Sequence, residues 1–367
     1  MAGESRKIAY ILGAGFSHGC KHCAKVGKHE IRMPLQFSLF EELCRFHYKK
    51  INRLDEIART IRKYFNPNTY RARRSAGSSR HKDLFGLSIE EVVTFFDEIV
   101  SNKQDDYERI QQVATELQTL TVELISFISI NGNPGKNKLL RMFVDRLAKT
   151  DVVITFNWDT ILDRVLANRI EWHPAWGYGQ TVRNEFEARV RNIPDRPNKY
   201  PRLLKLHGSV NWIAFEGEET PASIIANGWH SNNREGDVVM MPPKMIKQEV
   251  WGRPEMAKLS PTTGGNRFVS ADFYPDLWGE AEEQLAHSRR IVFIGYSFPA
   301  ADFAVGNLLR RAISSMKVDT NRFPEVDIVD PNAAELARRF EQSFKIRVPI
   351  ENQHLSLSAY LQGDRAA

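Results

Sequence analysis

Cysteine is scarce: Cys20, Cys23 and Cys44 are the only three in 367 residues, and none follows position 44. Three thiols near one end cannot staple a fold, which excludes a disulfide framework and fits a reducing compartment. The paired Cys-x-x-Cys motifs of a structural zinc module are missing too. Long apolar runs are also absent. Ile8 to Leu12 is too short for a signal-peptide core, and no stretch approaches a membrane span. The expected address is therefore the cytoplasm, with no membrane partner. No internal repeat or low-complexity tract is visible.

One segment lacks acid. Arg71, Arg73, Arg74, Arg80, His81 and Lys82 crowd together within a net charge of +6. Such a run could touch phosphates. No aromatic residue interleaves with the charges, so a solvated loop is the favoured reading and direct nucleic-acid binding the lesser one.

What is present reads as alternating strands and helices. Ile8 to Leu12 is a buried strand that stops at Gly13-Ala14-Gly15. Helical spacing follows from Pro34 through Leu35, Leu39, Phe40 and Leu43. Ser88 to Glu91 forms a capping box, a long helix spans about Asp105 to Ile128, Asn131 to Gly135 breaks it, and Leu139 to Leu147 is helical. Val152 to Thr155 is the next strand, with a helix at about Asp159 to Leu166. Leu203 to Leu206 and Val238 to Met241 are further strand candidates. Beyond them come helix Leu277 to His287, strand Ile291 to Ile294, helix Phe303 to Met316, strand Val326 to Val329 and helix Ala333 to Phe344. Residues 168–200 and 216–266 show no clear pattern.

Short apolar strands between helices imply an α/β fold with a parallel sheet covered on both faces. The expected architecture is a single Rossmann-like, doubly wound domain over 1–367. It carries a large helical insertion, 34–150, after the first strand.

Ligands of such sheets bind beyond the carboxyl ends of the strands, and five strand ends here carry polar or glycine-rich turns. Gly13-Ala14-Gly15-Phe16-Ser17 would let backbone approach a pyrophosphate, with its amides as donors, although the third glycine of the usual fingerprint is missing. Thr155-Phe156-Asn157-Trp158-Asp159 places a carboxamide two residues before a carboxylate. Leu206-His207-Gly208-Ser209 opens an imidazole toward a ligand. Gly295-Tyr296-Ser297 repeats the glycine turn, and Asp330-Pro331-Asn332 suits a ribose diol. Ordinary turn and capping chemistry explains each one nearly as well in isolation. Gly15-Phe16-Ser17-His18-Gly19 also fits a nucleophile elbow, which would make Ser17 the nucleophile of a hydrolase. Against that, the elbow follows the first strand and precedes a poor helix. Cys20-Lys21-His22-Cys23 is a lone pair, and with Cys44 or His18 it could hold a metal. An incidental pair is favoured, so no metal is expected.

Taken in order, the five turns resemble the sirtuin family. Gly13, Ala14, Gly15 and Ser17 resemble its first signature. Thr155, Asn157 and Asp159 resemble its Thr-Gln-Asn-Ile-Asp signature, with Phe156 and Trp158 as departures. His207-Gly208 resembles its His-Gly pair, Gly295-Tyr296-Ser297 its Gly-Thr-Ser turn, and Asn332 its ribose-binding asparagine. Without the zinc module, the chain is similar to a bacterial sirtuin-like group that hydrolyses NAD, often in antiphage defence. That resemblance implies NAD as substrate, no zinc, and Asn157 and His207 as the catalytic pair. It further implies that Gly13, Ala14, Gly15, Ser17, Thr155, Asp159, Gly295, Ser297 and Asn332 bind NAD, with Asp159 on the nicotinamide carboxamide. A homo-oligomer and a hexameric helicase-type ATPase partner belong to the same expectation. The alternatives are an NAD-dependent ADP-ribosyltransferase or deacylase, or a non-catalytic NAD or ADP-ribose sensor.

Overall fold

The computed structural model describes residues 7–65, 81–104, 106–182, 197–215, 223–226, 237–240, 273–299, 302–320 and 322–363. Six strands make one parallel sheet: β1 (Ile8–Leu12), β4 (Val152–Thr155), β5 (Arg202–Lys205), β9 (Arg290–Ile294), β10 (Glu325–Val329) and β11 (Gln353–His354). Their spatial order is β11-β10-β9-β1-β4-β5, and every pairing is parallel. Counting these strands along the chain, the order is the dinucleotide-binding 3-2-1-4-5-6 arrangement, read from its far edge. The direction of winding reverses between β1 and β9. Burial explains the strand sequences. Ala9, Tyr10, Ile11 and Leu12 are all buried, as are Val152 to Thr155, so both faces demand apolar residues and no alternation survives. One exception, Asp327 in β10, is fully buried and is paired by the Arg290 guanidinium, with one bond at 2.6 Å.

Between β1 and β4 lie helices α1 (Ala14–Gly19), α2 (Leu39–Phe46), α3 (Asp55–Phe65), α4 (Ile89–Ser101), α5 (Tyr107–Asn131) and α6 (Lys138–Arg146). Ser88 caps α4 by accepting the Glu91 amide at 3.3 Å, as the capping box predicts. Gly132 and left-handed Asn133 end α5 where the turn signals fall. The α2 helix begins at Leu39 and not at Pro34. Ser38 holds residues 35–38 in a turn, its hydroxyl accepting the Leu35 amide at 2.8 Å. The apolar stripe of α5, from Ile110 through Val113, Leu117, Leu120 and Leu124 to Ile128, is buried, and the helix packs against α2, α3 and α4. By length and composition α5 is apolar enough to cross a membrane, which no uninterrupted run in the sequence suggested. Its outward glutamates Glu116 and Glu123 pair instead with Arg53 at 3.2 and 2.7 Å. The α6 helix lies on the sheet itself, its Phe143 edge-on to Tyr10 of β1.

Two features were not expected. A hairpin, β2 (Cys23–Val26) with β3 (His29–Arg32), turns at Gly27-Lys28. A small antiparallel sheet places β6 (Gly208–Phe215) between β7 (Ser223–Ala226) and β8 (Asp237–Met240). The strand expected near Val238 therefore exists, but outside the parallel sheet. Downstream of it, α7 (Ile161–Arg169) and α8 (Pro174–Gly177) having followed β4, come α9 (Phe273–Ala286), α10 (Phe303–Thr320), α11 (Ala333–Phe344) and α12 (Leu357–Gly363). The basic residues Arg71 to Arg80 lie outside the described residues. His81 is buried, with Asp55 at 3.0 Å and Arg62 at 3.0 Å.

His22 and His47 are buried in this helical region, and burial pulls both below the ordinary 6.5. The folded chain thus binds fewer protons there than the unfolded chain. The stability they contribute is present above pH 6.5 and is lost as pH falls through the lowered values. Buried Glu42 and Asp151, raised by burial, act with the opposite sign. Comparison with His22→Gln/His47→Gln cancels that contribution. Thermal unfolding at about pH 7.5 and about pH 5.5 should show the parent losing more stability than the variant. Equal losses would contradict it.

Candidate functional site

Because all six strands run parallel, the turns after β1, β4, β5, β9 and β10 open on one edge of the sheet. At the β1–β9 reversal the two turns cross with almost no gap. The Gly13 amide donates to the Ile294 carbonyl at 3.1 Å and the Gly15 amide to the Gly295 carbonyl at 3.0 Å. A Cβ on Gly13 would stand 2.4 Å from the Gly295 carbonyl oxygen, and one on Gly295 would stand 2.3 Å from backbone of Gly15. Gly295 also has φ of +59°, a left-handed backbone that glycine alone adopts freely. These glycines therefore admit backbone to backbone. Their amides are already spent, which leaves the Ala14 amide, first in α1 and exposed, as the donor at this turn.

Asn157 follows β4 and is anchored from behind. Its Nδ2 donates to the Gly13 carbonyl at 2.9 Å and to Ser17 Oγ at 3.1 Å. A carbonyl acceptor can face only the amide nitrogen, so this arrangement sets which way the carboxamide points. Ser17 in turn donates its hydroxyl hydrogen to Asp159 Oδ2 at 2.8 Å. Its Oγ is thereby left to accept from Asn157. The three side chains form one directed chain that ends on a carboxylate, and Asn157 Oδ1 is left without a partner among the described residues. Thr155 is buried, its hydroxyl donating to the Leu12 carbonyl at 3.3 Å and accepting the Asn157 amide at 3.1 Å.

The structure thus brings Gly13, Gly15, Ser17, Thr155, Asn157 and Asp159 together, but it uses several of them inwardly. Asp159 is only 6% exposed, and its second oxygen accepts the Ile161 amide at 3.0 Å. Ser17 is 1% exposed, between Asn157 and Asp159. An accessible nucleophile beside a histidine base is not what this serine offers.

His207 sits just past β5, tilted against Phe156 with ring centroids 5.0 Å apart. Phe156 also meets Tyr296 at 5.1 Å and Trp278 at 6.4 Å, and the Trp278 indole donates to the Leu206 carbonyl at 3.2 Å. Aromatic rings therefore wall the edge between β4, β5 and β9. Ser297 is exposed beside Gly295. Asn332 is exposed at the start of α11, its side chain making no cap bond while its amide donates to Asp330 at 2.9 Å. Burial raises the Asp330 carboxyl above its usual range.

Among the described residues no group of three or more His, Cys, Asp or Glu side chains is placed to hold a metal ion. The rings of His18 and His22 are bonded to the carbonyls of Met33 and Ile128. Burial pushes the Cys44 thiol up to about 12 and the Cys20 thiol higher, against the thiolate a metal needs. The sequence reading passed over Lys205, which is buried inside β5 beneath His207. Its only signal was a charge in an otherwise apolar strand.

No protein-family model and no curated protein sequence matches the chain. By structure it is similar to Sir2 enzymes. One is a Sir2 structure addressing mechanism and regulation, 14% identical, with a TM-score of 0.36, covering 99% of this chain and 93% of that one. A Sir2 homologue mutant in complex with ADP-ribose is 11% identical at a TM-score of 0.36, with the same coverage. A Sir2–peptide–NAD+ complex is 12% identical at 0.26, covering 92% of this chain and 93% of that one. At these TM-scores the α/β assignment rests on the chain's own strand order and pairing.

If the crossing depends on bare backbone, Gly13→Ala should cost about 2 kcal/mol or more in chemical denaturation. Gly19→Ala, where a Cβ meets nothing within 4 Å, should stay within about 0.5 kcal/mol of the parent. Equal stability of all three proteins would show that the turns can part without cost.

Proposed function

We propose that this chain binds NAD along the carboxyl edge of its sheet and hydrolyses the nicotinamide–ribose bond to give nicotinamide and ADP-ribose. The observation that carries the reading is an oriented carboxamide oxygen at Asn157, unpartnered among the described residues, one strand from the switch point of the sheet, where such folds hold dinucleotides. The resemblance of the five turns to the sirtuin family supports the same assignment.

On this reading the chain's own groups divide the work. The Ala14 amide and the exposed Ser297 hydroxyl meet the pyrophosphate, and Asn332 meets the adenine-side ribose. Asn157 Oδ1 accepts a hydrogen bond from water and aims its oxygen at the anomeric carbon. His207, when neutral, accepts a proton from that water or through the ribose hydroxyls. Positive charge on the nicotinamide ring already weakens the bond, so orientation and exclusion of bulk water supply most of what remains. The rings of Phe156, Tyr296 and Trp278 do the excluding. Asp159, expected on the nicotinamide carboxamide, acts here through Ser17 by fixing the direction of the Asn157 amide. A thiolate-bound zinc is no part of this scheme.

The bacterial resemblance supports a finer reading: a triggered, cytoplasmic effector that depletes NAD in antiphage defence. Its control would lie in self-assembly or in a helicase-type ATPase partner, because an unregulated NAD hydrolase would poison its host.

Purified protein incubated with NAD should release nicotinamide and ADP-ribose in equal amounts without any acyl-peptide. Asn157→Ala and His207→Ala should each lower turnover by roughly 100-fold or more at saturating NAD while keeping the parent's unfolding temperature. Peptide deacylation without free hydrolysis, ADP-ribose found only on protein, or near-normal turnover by His207→Ala would overturn the assignment.

A further inference from the structure

Below the turns that carry Asn157 and His207 lies a set of polar side chains with no exposure to speak of. Lys205 and Asp163 are each 1% exposed, and Tyr178, Ser209 and Asn211 are fully buried. The Lys205 ammonium donates to the backbone carbonyl of Asp159 and to Asp163 Oδ1 at 3.3 Å. The same carboxylate oxygen accepts the Tyr178 hydroxyl, whose oxygen accepts from Asn211 Nδ2 at 3.0 Å. Ser209 Oγ lies 2.5 Å from Asn211 Oδ1 and 3.3 Å from the Trp158 carbonyl, and that carbonyl also accepts the Val210 amide at 3.0 Å.

The connectivity has a simple consequence. Two successive carbonyls, those of Trp158 and Asp159, are gripped by residues on either side of His207. Lys205 takes one, and the Val210 amide takes the other. Asn157 directly precedes the gripped pair. The separation of Asn157 and His207 is thus held by this network together with the Leu206 amide, which donates to the Thr155 carbonyl at 3.0 Å, and the Phe156–His207 ring contact. An apolar residue at 205 would fill the strand interior as well as its neighbours do. A buried ammonium is costly unless it is paired and its hydrogens are used, and here it reaches a carbonyl and a carboxylate at once.

We infer that Lys205 and Asp163 are a positioning pair that holds the Asn157 turn in register with the His207 turn, and that the pair governs turnover in place of NAD affinity. The inference rests on the hydrolase reading for its kinetic half. Its structural half, coupled rigidity of the two turns, stands independently of it. Affinity is spared because the backbone bonds that close the β1–β9 crossing, Gly13 to Ile294 and Gly15 to Gly295, involve neither Lys205 nor Asp163.

Removing one charge alone strands the other in the interior and risks unfolding the chain, so the test uses Lys205→Met/Asp163→Asn, which removes both. In the full-length variant, kcat for NAD should fall at least about tenfold with KM within about twofold of the parent. Amide hydrogen exchange should quicken in peptides covering both 156–160 and 206–211, and stay unchanged in 8–12 of β1. A folded variant with parental kcat, or one in which only one turn loosens, overturns the inference. Should that variant not fold, Tyr178→Phe decides by the same readouts: a smaller fall in kcat with both turns loosened supports the inference, and parental behaviour overturns it. Absence of NAD turnover in the parent protein would refute the hydrolase reading, and exchange in the two turns would then decide the positioning role alone.

Discussion

The molecule depends on a contact between two pieces of bare backbone. Where the winding reverses, the turn after β1 and the turn after β9 cross so closely that a Cβ on Gly13, Gly15 or Gly295 would lie within 3 Å of the opposing chain. The crossing brings the Gly13 carbonyl to a place where Asn157 can use it and seats Ser17 under the same side chain. A wider gap would leave the Asn157 amide without its anchor. Glycine at the switch point thus does more here than let two turns pass. Through hydrogen bonds it sets the direction of a side chain one strand away.

Polar groups crowd the edge of the sheet. Most of them are consumed by one another. Gly13 and Gly15 spend their amides on the end of β9 and the turn after it, Thr155 its hydroxyl on Leu12, and Asp159 its carboxylate on Ser17 and Ile161. Buried polar atoms without partners are costly, so this mutual use lets so much polarity sit inside an apolar core. Among the described residues, what it leaves over includes one carboxamide oxygen, the Ala14 amide, and the exposed Ser297 and Asn332. That remainder is the surface a ligand would meet.

How far the sequence made this legible follows from physical range. Strands of the parallel sheet are buried on both faces, so β1, β4, β9 and β10 stand out as apolar runs, and each expected range ends on the residue observed. Parallel winding then forces their carboxyl ends together, which is why all five turns were legible as one region. The β2–β3 hairpin was not, because strands of four residues rich in Lys, His, Glu and Arg carry no apolar alternation and only Gly27 marks the turn. Likewise, the inward use of Asp159 and the role of Lys205 arise from contacts across 142 and 46 residues. No local pattern encodes such distances. A lysine amid Leu203, Leu204 and Leu206 was a visible irregularity, and it lies at the base of the site.

The central claim is that NAD lies across the β1–β9 crossing with its nicotinamide ribose at Asn157 and His207. The measurement that meets it most directly is a crystal structure of His207→Ala with NAD bound, since the impaired variant should retain its substrate. The pyrophosphate is expected over Gly13-Ala14-Gly15 and Gly295, and the anomeric carbon within reach of a water held by Asn157 Oδ1. NAD bound at another edge of the sheet, or in a pose that leaves Asn157 with no water and no ribose contact, would contradict it.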